Sequence, residues 1–279
     1  FGAQVRTVGI PLSASDDEVV QLFAEARTAR TRLIVVDQIT SPTARLLPTR
    51  RIAEDAAVHG IRTLVDGAHA PGLIPDAAVA AGGDWWFGNL HKWPCAPRGS
   101  ALLVTRAHDR QELWPLIDSW GAPESFPGRF DTQGTIDATT YLSTPAAIDF
   151  VEQEIGWAAA RGAMTGMADA GAEAIADALR PYSETDPLTP LPSPVPSMRL
   201  IRLPRGLGAT REDADELRMQ LLDEVGVETA FTSFRGVGYY RLSVHLYTES
   251  SDFEAFVERC VPQLLRRAGI GVRSSASIS

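Results

Sequence analysis

Lysine is almost absent from this sequence. Lys92 stands alone among 26 basic residues, the other 25 being arginine. A guanidinium keeps its proton near neutral pH, whereas a partly buried amine can lose it and then act as a base or nucleophile. Any covalent amine chemistry therefore has one candidate nitrogen. Cysteine is scarce too: Cys95 and Cys260 are far apart, which excludes a disulfide framework and points to a reducing, cytoplasmic setting. No apolar run approaches the ~20 residues of a membrane helix, and the chain opens on no signal-peptide pattern, so no membrane partner is expected. Positive charge is not in excess either. Subtracting 35 acidic from 26 basic residues gives −9 with no basic stripe, which argues against a nucleic-acid partner.

What is present is a globular composition. Hydrophobic residues make up 44% of 279, enough for a full core, and the length suggests about two domains. Gln4 to Ile10 reads as a strand at the very start, so the chain is expected to begin partway through a domain. Ser15 caps a predicted helix over 16–30. Strands are expected at 33–36, 62–65, 84–88 and 100–105, with helices at 49–59 and 75–81 between them. That alternation predicts an α/β domain whose sheet is largely parallel and flanked by helices. It occupies 1–140. Connecting helices follow over 141–182, broken near Gly156 and Gly162, then a proline-rich loop over 183–197. A small α+β domain is expected over 198–268, with strands at 198–203, 227–231 and 239–246 and helices at 211–224 and 252–267. Residues 269–279 read as a tail.

Ligands of open parallel sheets sit beyond the carboxyl ends of the strands, and the polar residues gather there. Asp66-Gly67-Ala68-His69 follows one predicted strand and Asn89-Leu90-His91-Lys92-Trp93 the next. Taken alone, Lys92 could be a surface residue left by composition bias; this convergence of an acid, two imidazoles, an amide and the sole amine argues otherwise. The set suits pyridoxal 5′-phosphate. A lysine would hold its aldehyde as a Schiff base, a carboxylate would keep its ring nitrogen protonated, and polar donors would take its phosphate. Lys92, Asp66, and Asn89 with His91 could fill those roles. A zinc site built from His69, His91, Cys95 and Asp66 has no known ligand spacing and leaves Lys92 and Arg241 unexplained, so no metal is expected. Cys95, after a proline in an apolar stretch, reads as inert core filler, and Trp85, Trp86 and Trp93 as core.

Several ordered motifs resemble the PLP-dependent class V aminotransferases of fold type I, and most of all their isopenicillin N epimerase-like branch. They are Asp37-Gln38-Ile39-Thr40-Ser41-Pro42-Thr43, Asp66 to Gly72, Gly88 to Trp93, Ala96 to Ala101, Gly134-Thr135, and Arg241-Leu242-Ser243 with Leu246-Tyr247. The resemblance implies that Lys92 forms the Schiff base and moves protons, that Asp66 pairs with the pyridine nitrogen, and that His69 lies against the ring hydroxyl. It implies phosphate contacts from His91 and Asn89, and from Thr135 to the cofactor of a neighbouring subunit in a homodimer. Arg241 would clamp the α-carboxylate of an amino-acid substrate. Gln38 replaces a histidine frequent in relatives, Ile136 stands where a basic residue is expected, and the family's N-terminal segment has no counterpart before Phe1. The expected function is chemistry at the Cα of an amino acid, epimerase-like, with β-elimination at a C–S bond or transamination as alternatives. A non-catalytic fragment or binding module is the alternative of another class. Persulfide chemistry is disfavoured, because 226–240 contains no cysteine.

Overall fold

The computed structural model describes residues 2–106 and 110–271. Its contacts divide the chain into two units. The first contains residues up to 10, 15–39 and 47–157; the second contains 11–14, 40–46 and 158 onward.

The first unit is built on a four-stranded sheet in the order β1 (Leu33–Asp37), β2 (Arg62–Asp66), β3 (Trp85–Asn89) and β4 (Ala101–Thr105). The first three strands run parallel and β4 is antiparallel to β3. Parallel neighbours need crossovers, and these carry α2 (Thr49–Val58) between β1 and β2 and α3 (Ala77–Ala81) between β2 and β3. α1 (Asp16–Ala26) precedes β1. Its start is set by a capping box: Ser15 Oγ accepts from the Glu18 amide at 3.3 Å, and Glu18 Oε2 accepts from the Ser15 amide at 2.7 Å. Such a cap contributes about 1 kcal/mol.

Side chains alternate across the strands. Ile34, Val36, Thr63, Val65 and Trp86 are buried on one face, whereas Leu33, Val35, Leu64, Asp66, Phe87 and Asn89 on the other are half-buried or exposed. Beyond the sheet, α4 (Thr139–Glu154) is followed by Gly156, whose φ of +82° separates it from α5 (Trp157–Leu179).

The second unit packs α5 with α6 (Arg211–Val225), a three-stranded antiparallel sheet and a C-terminal helical stretch. The sheet runs β5 (Met198–Arg202), β7 (Val237–Ser243), β6 (Phe231–Phe234). Its core joins Ala172, Ile175 and Leu179 of α5 to Leu217 and Leu221 of α6, Ile201, Leu242 and Phe256. Gly171 admits the Phe253 ring: a Cβ there would lie 2.5 Å from it. Arg45 is buried in this unit. Its guanidinium donates to the carbonyls of Pro11 (2.7 Å), Leu12 (3.3 Å) and Ala14, which ties 11–14 to 40–46.

Several expectations need correction. Residues 4–10 form no strand; they are mostly exposed and have no ladder partner among the described residues. Gly162 does not break α5, since one glycine costs a long packed helix only about 1 kcal/mol. The strand expected at 227–231 lies at Phe231–Phe234, because Arg235 and Gly236, with φ of +50° and +77°, make the two-residue turn that pairs Phe234 with Val237. The last helix is divided into α7 (Ser250–Ala255), a wider π turn at Phe256–Cys260, and α8 (Val261–Arg267), which carries Pro262 in its first turn. Proline has no amide to donate back into the preceding turn. Cys95 is exposed, on a loop at φ +56°, and fills no core. Trp86 and Trp93 are core; Trp85 is half-buried beneath the Arg62 guanidinium at 5.3 Å. Most of the expected tail, 272–279, lies outside the described residues. Among the described residues no helix is long and apolar enough to cross a membrane, and no cluster of His, Cys, Asp or Glu could hold a metal ion.

Candidate active site

The candidate site is assembled at the carboxyl ends of β1, β2 and β3, where parallel strands deliver successive chain segments to one edge. Asp37 and Asp66 are the last residues of β1 and β2 and are directly paired in register. The ladder continues past them: the Gln38 amide donates to the Asp66 carbonyl at 2.7 Å, and the Gly67 amide to the Phe87 carbonyl at 2.8 Å. The turn after Asp66 is held by the Ala68 amide, which donates to Asp66 Oδ1 at 2.9 Å.

Packing beneath this turn depends on glycine. A Cβ on Gly67 would lie 2.1 Å from Trp86 Nε1, and one on Gly88 2.2 Å from the far edge of the same indole. Trp86 thus fills the space that two side chains would otherwise occupy. Its Nε1 donates to Gln38 Oε1 at 2.9 Å, and Gln38 Nε2 donates to the Ala77 carbonyl at 3.1 Å. Gln38 is 2% exposed, and both ends of its amide are satisfied. It serves the scaffold beneath the Asp66 turn.

On the open side, Lys92 Nζ lies 3.2 Å from His69 Nε2. His69 is buried, with its ring centroid 6.5 Å from that of Trp93. His91 and Asn89 are half-buried, and the buried Nδ1 of His91 has no hydrogen-bond partner among the described residues. Asp37 is half-buried beside Asp66, and its carboxyl is pushed above the usual carboxylate range. Burial is the main cause, the Asp66 charge adds to it, and Lys92 opposes both.

The structure therefore places Asp66, His69, Asn89, His91 and Lys92 at the ends of β2 and β3 and joins His69 to Lys92 by a hydrogen bond. Thr135 is exposed and makes no hydrogen bond to any described residue. Sequence reasoning places Asp37 in a motif but gives it no role. The signal was visible, since two strands each end in aspartate, but only the register shows that the two carboxylates are neighbours.

Arg241 belongs to the second unit, on β7. Its Nη1 donates to the carbonyl and hydroxyl oxygens of Ser41 at 2.8 and 3.0 Å. Its Nε is buried without a partner among the described residues, and burial pushes the guanidinium below its ordinary range. A cleft of about 500 Å³ in this unit is lined by Arg241, by Thr229, whose buried hydroxyl also has no described partner, and by an Arg218–Glu228 ion pair.

No protein-family model matches the chain. It is 32% identical over 275 residues to an isopenicillin N epimerase of Streptomyces clavuligerus, covering 92% of this chain and 67% of that protein. A putative L-cysteine desulfhydrase of Oryza sativa subsp. japonica is 28% identical over 284 residues, 91% of this chain and 57% of the relative. A cysteine desulfurase of Escherichia coli superposes at a TM-score of 0.69 with 19% identity, over 92% of this chain and 65% of that one, which shows the fold. The chain thus spans about two thirds of the length of the epimerase and of that structure.

The fold is that of the PLP-dependent enzymes of fold type I. The chain belongs to the class V aminotransferase family of PLP-dependent enzymes, alongside isopenicillin N epimerases and cysteine desulfhydrases. The residues present fit that cofactor. Asp66 has one oxygen engaged by its own turn and Oδ2 without a described partner, His91 keeps a buried ring nitrogen unpaired, and the sole lysine stands at the same strand ends.

Proposed function

We propose that the chain carries out pyridoxal phosphate chemistry at the Cα of an amino acid, epimerase-like, with Lys92 as its catalytic amine. The observation that carries the reading is that the only lysine stands at the strand ends with Asp66 and within hydrogen-bond reach of His69. When bound, the cofactor supplies an aldehyde that condenses with amines and an electron-poor ring that stabilises negative charge at Cα.

The chain's own residues would do the rest. Asp66 Oδ2 would hold the proton on the ring nitrogen through a charge-assisted hydrogen bond, stronger than a neutral one. His91 and Asn89 would bind phosphate oxygens. His69 Nε2 would orient Lys92 Nζ, and Nζ would take the proton at Cα, while a second acid on the opposite face would return one to invert the centre. We assign the substrate's α-carboxylate to Arg241, whose planar fork matches it, and the neighbouring subunit's phosphate to Thr135 in a homodimer. A cytoplasmic setting completes the proposal. β-Elimination is a second reading, supported by the desulfhydrase and by a hercynylcysteine sulfoxide lyase of Schizosaccharomyces pombe that is 27% identical over 85% of this chain.

The experiment is incubation with pyridoxal phosphate, borohydride reduction and peptide mapping. An adduct on Lys92 is expected, and its absence overturns the reading. A scan of amino acids in deuterated water then separates the reactions: deuterium at Cα without keto acid supports epimerisation, and pyruvate with ammonia supports elimination.

A further inference from the structure

The strand register places a second carboxylate beside the proposed cofactor acid, and nothing assigned so far uses it. Asp37 and Asp66 are cross-strand partners in a parallel pair, so their side chains leave the same face of the sheet, and adjacent strands lie about 4.8 Å apart. Asp37 is fixed there. Its neighbour Gln38 turns into the core, bonded to Trp86 and Ala77, and the Gln38 amide closes the ladder on Asp66. The Asp37 carboxylate accepts no hydrogen bond from any described residue, so its charge acts through space.

We propose that Asp37 is a positioning residue of the active site, the negative charge that governs how firmly Lys92 holds its proton. This rests on the reading of Lys92 as the catalytic amine. Such an amine must be neutral to condense with a carbonyl and charged after it has taken a proton, so its proton affinity has to sit between the two tasks. Asp66 is committed to a ring nitrogen in that reading; its charge is answered there. Asp37 is a second carboxylate at these strand ends whose charge and that of Lys92 act on each other.

The groups whose fields reach Asp37 are few. Asp66 on β2 opposes its ionisation and Lys92 favours it. The other face of β1 presents Ile34 and Val36 toward the helix side, and none of the charged residues of α2 (Arg50, Arg51, Glu54, Asp55) contributes. Coupling is reciprocal: an anion stabilised by Lys92 stabilises the Lys92 cation by the same amount.

Because Lys92 is the one lysine, its titration can be read directly. The test is competitive acetylation of the chain without added cofactor between pH 7 and 11, with the Lys92 peptide quantified by mass spectrometry. Asp37→Asn, nearly isosteric, is expected to move half-maximal Lys92 reactivity down by about half a pH unit, the size of one partly screened charge. Asp37→Glu is expected to restore the wild-type curve. Superimposed curves for wild type and Asp37→Asn overturn the proposal, as does an equal shift in Asp37→Glu, which would mark a packing effect. Should Asp37→Asn fail to fold by circular dichroism, Asp37→Ser is read against the same two outcomes. Borohydride trapping on the same preparations separates the two readings. Trapping with unmoved curves removes Asp37 alone, whereas shifted curves without trapping remove the cofactor reading and keep the coupling.

Discussion

Lys92 Nζ and His69 Nε2 stand 3.2 Å apart, although 23 positions separate them in the chain. One residue comes from the turn after β2 and the other from the turn after β3, so the contact exists only because those strands are neighbours. A ring nitrogen at this distance can accept from the ammonium and hold the amine in one rotamer. His69→Ala is expected to lower turnover 10- to 100-fold while the Lys92 adduct still forms, as measured by steady-state kinetics beside borohydride trapping. Loss of the adduct would place His69 in anchoring rather than orientation.

Asp66→Asn removes the charge but keeps the shape and the acceptor for the Ala68 amide. A hydrogen bond to a charged group contributes about 1.5–3 kcal/mol. Cofactor affinity is accordingly expected to fall 10- to 100-fold with little change in thermal midpoint. Fluorescence titration with pyridoxal phosphate and a melting curve together check this.

Gly67→Ala places a methyl group 2.1 Å from Trp86 Nε1, so the indole must move and its bond to Gln38 Oε1 must lengthen or break. Overpacking of this kind costs about 1–3 kcal/mol. A lower urea midpoint is expected, with a change in tryptophan fluorescence in the folded state. Gln38→Leu should lower stability by a similar amount, because it leaves the buried indole N–H unpaired.

Burial pushes the Cys260 thiol up to about 11, with Arg259 opposing. The sign follows from linkage: a group whose folded value is raised contributes stability that is complete below its unfolded value and is lost as pH rises through the folded one. Unfolding free energy is therefore expected to decline between pH ~9 and ~11, and Cys260→Ala is expected to flatten that slope in urea titrations. In the native chain at neutral pH, iodoacetamide should label the exposed Cys95 well before Cys260.

Much of the fold is legible locally. Ser15 with Glu18 and Thr210 with Asp213 start α1 and α6 through the capping boxes that their spacing announces. The apolar runs at 33–36 and 62–65 become β1 and β2 nearly residue for residue. The misplacements share a cause. At β6 the turn at Arg235–Gly236 chose the register, and a non-glycine residue in a left-handed conformation is a weak written cue. At 4–10 a strand-like pattern has no partner among the described residues, and no strand forms without one. Gln38 looks like a departure in a binding motif, and only its contacts with Trp86 and Ala77 show that it serves the scaffold.

The chain's own order of residues settled the chemistry available to it: a solitary amine, an Asp-Gly-Ala-His turn, and helices and strands marked by caps and periodicity, all of which act over a few positions. Which strands lie side by side was a matter for the tertiary structure, because pairing depends on burial and turn geometry across distant segments. That pairing brought Asp37 level with Asp66, set His69 against Lys92, and turned Gln38 inward.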